Sequence, residues 1–142
     1  MMDLHGPWQA LGIMIGLYTF FLGWSRFTAQ HLGSGRAFKF KRHVFFGQAA
    51  CLMLIAGAMG GLILARIAWR GWLITGLHGY LGVGLAFILA LVFTTGKMMT
   101  KKLKKRKALP LLHGSLGFLA MLGCLAQAVS GWQVSQDFLA GF

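Results

Sequence analysis

Apolar residues run through this chain in blocks too uniform for helices that keep one face in water. Four blocks, at about 8–27, 43–66, 73–96 and 110–132, are each long enough to be membrane spans, for which roughly 20 residues suffice. A soluble bundle would need a polar stripe along each helix, and none of the four blocks has one. The links are short: a polar, basic segment at 28–42, a tight connection at 67–72 and a second basic segment at 97–109. Pro110 stands where a first helical residue is expected, because its missing N–H costs nothing there. The pattern predicts an all-α integral membrane protein, one transmembrane domain over residues 1–142 folded as an up-down four-helix bundle.

Composition agrees. Hydrophobic residues make up 57% of the chain and charged residues 11%, against about 25% charged in soluble domains. Fourteen Lys and Arg against two acids give a net charge of +12. Such a balance ordinarily points to nucleic acid, but the placement of the charges excludes that partner. Arg26, Arg36, Lys39, Lys41 and Arg42 flank the first link, and Lys97, Lys101, Lys102, Lys104, Lys105, Arg106 and Lys107 fill the third. Only Arg66 and Arg70 lie on the opposite side, where the acids Asp3 and Asp137 also fall. The positive-inside rule then puts both basic links in the cytoplasm and both termini outside, in a multi-pass inner (cytoplasmic) membrane protein. The 97–107 cluster reads first as a topology signal touching anionic headgroups, and only second as a dock for an acidic partner. Trp8, Trp24, Trp69, Trp72 and Trp132 fall near predicted span ends, where interfacial belts form. The N-terminus lacks the basic region of a secretory signal, so the first span is expected to be retained.

The histidines carry the candidate chemistry. Leu77-His78-Gly79-Tyr80-Leu81-Gly82 returns further on as Leu112-His113-Gly114-Ser115-Leu116-Gly117, and His43 precedes His78 by the same interval, with the same His-x-x-x-Gly spacing. Leu4-His5-Gly6 is a fourth relative, followed by Pro7, a candidate helix start. Each helix thus has one histidine in or just before its first two turns. Because the spans alternate in direction, His43 and His113 fall near the cytoplasmic face and His5 and His78 near the outer face. Alternate helices are diagonal partners in an up-down bundle, so each pair could clamp one group between its rings.

Ionisable residues inside spans default to functional sites, although a lone histidine at a span end is more often interfacial. Zinc would want four ligands and Ca²⁺ or Mg²⁺ would want oxygens, which the spans lack. Haem iron needs two axial ligands. No Cys-x-x-Cys-His attachment motif occurs, so two non-covalent b-type haems are expected, on His5/His78 and on His43/His113. Gly47, Gly82 and Gly117 each stand one turn past their histidines, on the same helical face, and would let a macrocycle approach. Gly57, Gly60 and Gly61 lie four to five helical turns past His43, at the depth of the other site, or form a close helix-packing face. On this count the irons would be roughly 21 to 26 Å apart at about 1.5 Å per residue. Arg66 and Arg70 for the outer site, and Arg36, Lys39, Lys41 or Arg42 for the inner one, either neutralise haem propionates or contact headgroups. His31, in the first link, reads as solvent-facing, with a substrate or quinone role as the lesser alternative. Cys51, Cys124 and the methionines in and near the spans read as packing.

This arrangement resembles the cytochrome b561 superfamily, and most closely its short four-helix bacterial members, over about residues 4–132. The resemblance is carried by His5, His43, His78 and His113. It implies a diheme transmembrane cytochrome b that passes electrons between the membrane faces, with alternate helices pairing to ligate each haem. The two extra peripheral helices of eukaryotic members have no counterpart here. Electron donor and acceptor, whether quinone or a soluble redox protein, stay open, as does a homodimer. No nucleotide-binding loop or nucleophile–base pair appears, so any oxidoreductase activity would rest on bound cofactors. Two other readings stand beside it: a haem-bearing anchor subunit of a larger quinone-linked oxidoreductase, and a haem-free scaffold or small transporter.

Overall fold

The computed structural model describes residues 2–35, 37–101 and 107–139. Four helices account for nearly all of them: α1 (Met2–His31), α2 (Phe40–Trp69), α3 (Leu77–Lys101) and α4 (Ala108–Leu139). All four are long and apolar enough to cross a membrane. The fold is the expected all-helical, membrane-spanning bundle.

The helix ends differ from the sequence expectation in ways the backbone explains. α1 runs straight through Gly6 and Pro7 and places His5 inside the helix. Pro7 removes only the N–H that would bond the Asp3 carbonyl, near the end of the helix, where a lost bond costs least. α2 closes on Arg70 in the left-handed conformation, at φ 57°. Gly76, also left-handed at φ 57°, then turns the chain, with its N–H on the Leu73 carbonyl at 3.0 Å. α3 therefore opens at Leu77, one turn later than the expected start at Leu73. α4 starts just before Pro110, at Ala108, so the proline still sits within the first turn, whose N–H groups have no helical acceptor.

Packing runs around the bundle in chain order, α1 on α2, α2 on α3, α3 on α4 and α4 back on α1. Among the described residues, the diagonals α1–α3 and α2–α4 bring no Cα atoms within 8 Å of each other. The centre is built from Cys51 and Leu54 of α2, Leu85 and Leu89 of α3, and Ala120 and Cys124 of α4. α1 enters at small positions, with Gly12, Gly16 and Thr19 buried, Leu54 over Gly12 and the Met121 sulfur over Gly16, and Ile13 packed on the centre. Small residues at the seams are what a bundle in lipid requires, because lipid tails give apolar side chains no reason to leave them. The outer surface is correspondingly greasy, with Phe21, Phe45, Phe87 and Leu111 each at least 65% exposed. Cys51 and Cys124 are buried free thiols in the core, as expected of small apolar fillers.

The fit of α1 on α2 is directly testable. A Cβ at Gly12 would lie 2.8 Å from Leu54 Cδ2, and overpacking of this kind costs roughly 1–3 kcal/mol. Gly12→Ala should lower the thermal midpoint in detergent, and Leu54→Ala in the same chain should recover part of the loss. Additive losses would show that the two positions do not touch.

Candidate functional site

The four candidate histidines meet in two pairs. His5 of α1 and His78 of α3 have ring centroids 6.4 Å apart at an interplanar angle of 86°. His43 of α2 and His113 of α4 are 6.2 Å apart at 79°. These are the diagonal helices, so in each pair the rings span a gap that the backbones do not close.

What holds each ring is a glycine on the neighbouring helix of its own hairpin. A Cβ added to Gly61 would lie 2.7 Å from His5 Cε1, one on Gly131 3.0 Å from His78 Cε1, one on Gly23 3.1 Å from His43 Cε1, and one on Gly96 3.3 Å from His113 Cε1. Each histidine is also followed, further along its own helix and always at the same interval, by one of these glycines: His5 by Gly23, His43 by Gly61, His78 by Gly96 and His113 by Gly131. At about 3.6 residues per turn the interval is five whole turns, so ring and glycine lie on one stripe about 27 Å apart. Every helix gives a ring at one level and receives one at the other. This His-x17-Gly register is readable in the sequence, yet only the hairpin packing shows its use. It also sets the two levels slightly farther apart than the spacing to Gly57 and Gly60 implied.

Hydrogen bonds assign the tautomers of three rings. His43 Nδ1 lies 3.1 Å from the Thr19 carbonyl, which can only accept, so Nδ1 carries the proton. Thr95 Oγ1 is 2.7 Å from the Leu91 carbonyl and 3.0 Å from that of Val92. Its one proton goes there, and its oxygen accepts from His113 Nδ1–H at 3.0 Å. Ser130 Oγ donates to the Gln127 carbonyl at 3.2 Å and accepts from His78 Nδ1–H at 3.0 Å. In each case the unprotonated Nε2 is the nitrogen left for a ligand. For His43 and His113 this means two lone pairs, and two acceptors cannot hydrogen-bond each other. His5 lacks the matching hydroxyl, since Gly60 stands before Gly61 where Ser130 stands before Gly131.

At the His5/His78 end a cavity of about 640 Å³ opens between the helices, lined by both histidines, by Gly61 and Gly131, and by Trp69, Trp72 and Trp132. That volume suits a small-molecule or cofactor site, for which roughly 300–1,000 Å³ is usual. Gln9 and Gln127 also line it, and each has a buried amide oxygen with no hydrogen-bond partner. Gln127 is fixed by its Nε2 donating to the His78 carbonyl at 3.0 Å.

The other sequence candidates are placed as follows. Gly82 lines the cavity, with the Gln127 amide 2.9 Å from where its Cβ would be. Gly47 faces Thr19, and Gly117 borders open space. Arg66, Arg70 and Lys39 are exposed. Arg36, the His31 side chain and most of the third-link basic cluster lie outside the described residues. Among the described residues, no three His, Cys, Asp or Glu side chains gather as a metal cluster. The four histidines come together as two pairs. Centroids at 6.2 and 6.4 Å leave room for one ion between two rings at metal–nitrogen bonds of about 2.0–2.1 Å. Compared with known protein families, curated proteins and solved structures, the chain matches none.

Alanine at the four glycines should therefore act on the rings, and in a graded way. Gly61→Ala and Gly131→Ala should shift the imidazole resonances of His5 and His78, Gly61→Ala the more severely. Gly23→Ala and Gly96→Ala should affect only the other end, Gly96→Ala least. Gly84→Ala and Gly114→Ala, which border open space, serve as controls. Equal shifts from the controls, read on the histidine ring resonances in detergent, would remove the ring-on-glycine contact from the account.

Proposed function

We propose that the chain is a diheme transmembrane cytochrome b of the b561 type, carrying electrons between two bis-histidine sites near opposite membrane faces. One observation carries the reading: two diagonal histidine pairs at 6.2 and 6.4 Å, in which three of the four rings have Nδ1–H committed to a protein acceptor. Imidazoles that ligate metals are held in this way, with the second nitrogen bonded to a carbonyl or other acceptor so that tautomer and orientation are fixed. His5 and His78 would hold one haem, and His43 and His113 the other. Bound there, haem supplies reversible one-electron oxidation and reduction.

The remaining work falls to the protein. Gly23, Gly61, Gly96 and Gly131 let each ring lie against a helix backbone. Thr19, Thr95 and Ser130 aim the rings. The lipid-facing apolar surface and the core of Cys51, Leu54, Leu85, Leu89, Ala120 and Cys124 make the space between the two levels apolar. The twelve-to-two division of basic residues supports cytoplasmic links and outer termini, which sets the His43/His113 level on the cytoplasmic side.

Purified from membranes, the protein should carry two haems per chain, removable by acid–acetone. His43→Ala and His113→Ala should each delete the same component of a redox titration, and the double variant should lose little more than either single, as expected of residues acting as a unit. His78→Ala and His5→Ala should delete the other component. A colourless protein, or His43→Ala and His78→Ala removing the same component, would overturn the reading. A reporter fused at the C-terminus should register outside, and a cytoplasmic signal would reverse the side assignments while leaving the pairing intact.

A further inference from the structure

The two histidine levels are built alike from backbone but differ in charge. Three positions after each ring-bearing glycine, on the same helical face, stand Arg26, Leu64, Met99 and Val134. Leu64 and Val134 line the cavity at the His5/His78 end. Only Arg26 is charged, and it belongs to the His43/His113 level. Its position is fixed: the guanidinium carbon lies 5.3 Å from the centroid of the Phe38 ring, and Phe38 in turn packs on His43 with centroids 5.4 Å apart. Arg26 is half-buried, and the Phe38 ring lies between its guanidinium and His43. The cations at the other end, Arg66 and Arg70, are exposed, where water and salt screen them.

Resting on the diheme reading, we propose that Arg26, held by Phe38, makes the His43/His113 site the more oxidising of the two and so orders electron flow from the His5/His78 end toward it. The physics is one of sign. Reducing a site adds one negative charge, and a fixed cation in low dielectric favours the state that carries it. An arginine keeps its charge at any working pH, so the bias is permanent. No bond is made or broken. One electron leaves the first site and one arrives at the second.

The test is a potentiometric titration of the loaded, full-length protein in its wild-type form and as Arg26→Gln, Arg26→Lys and Phe38→Leu. His43→Ala identifies the component that belongs to the inner site. In wild type that component should be the higher of the two. Arg26→Gln should lower it and leave the other in place. Arg26→Lys, which keeps the charge, should stay near wild type, and Phe38→Leu, which frees the guanidinium, should fall between. Unmoved potentials in Arg26→Gln, a shift in the His5/His78 component instead, or Arg26→Lys behaving as Arg26→Gln would each overturn the proposal. If Arg26→Gln fails to load haem at the inner site, Phe38→Leu and Arg26→Lys still decide it. Absence of haem from the wild-type protein would instead defeat the diheme reading itself.

Discussion

Everything in this bundle depends on a histidine ring lying against a glycine. The contact occurs four times, always between the two helices of one hairpin, and always with the giving and receiving residues five turns apart on a helix. Within α1–α2, His5 on Gly61 and His43 on Gly23 pin the register at both ends, and His78 on Gly131 with His113 on Gly96 do the same for α3–α4. A slip of one residue would rotate the stripe by about 100° and lose both contacts of a hairpin together. Any side chain at the glycines would push the ring toward the bundle axis, where the diagonal partner's ring centroid waits at 6.2 or 6.4 Å.

Much of this was legible in the sequence. Unbroken apolar blocks give the spans, and alternation of direction gives the two levels. Up-down topology makes His5/His78 and His43/His113 the diagonal pairs, and the structure brings those same residues together. What escaped were relations between helices. Gly47, Gly82 and Gly117 share a helix face with His43, His78 and His113, one turn on, but face-sharing says nothing about what the opposite helix presents. Gly47 takes Thr19 and Gly82 takes Gln127, whereas the rings rest on the glycines five turns along. In the sequence Arg26 is one of twelve topology charges, and only the path of the first link sets Phe38 between it and His43. The start of α3 moved because Gly76 adopts a left-handed turn that an apolar count does not register.

The halves of the chain are variations on one hairpin. Laying α1 on α3 and α2 on α4 superposes His5 on His78, Gly23 on Gly96, His43 on His113 and Gly61 on Gly131. The packing between them is not copied so literally. In the first hairpin Gln9 of α1 covers Gly57 of α2, while in the second Gln127 of α4 covers Gly82 of α3. The same slot is filled from opposite helices, so the slot and not the residue that fills it is the shared feature. Polar side chains in that slot border the cavity, where a buried amide without a partner is costly.

The hydrogen bonds that aim the rings also divide the molecule. His43 to Thr19 joins α2 to α1, and His78 to Ser130 and His113 to Thr95 join α3 and α4. Each lies within one hairpin. Between hairpins the packing is of small and apolar residues, which in lipid gain little over contact with acyl chains. At the two histidine pairs, one hairpin brings a polar ring to a polar ring of the other. A metal bonded to both rings of a pair would thus link the halves directly, and any free energy of binding would stabilise the assembled bundle over the parted hairpins by mass action. Ligation and assembly are then one equilibrium, and the glycines that admit the rings serve both.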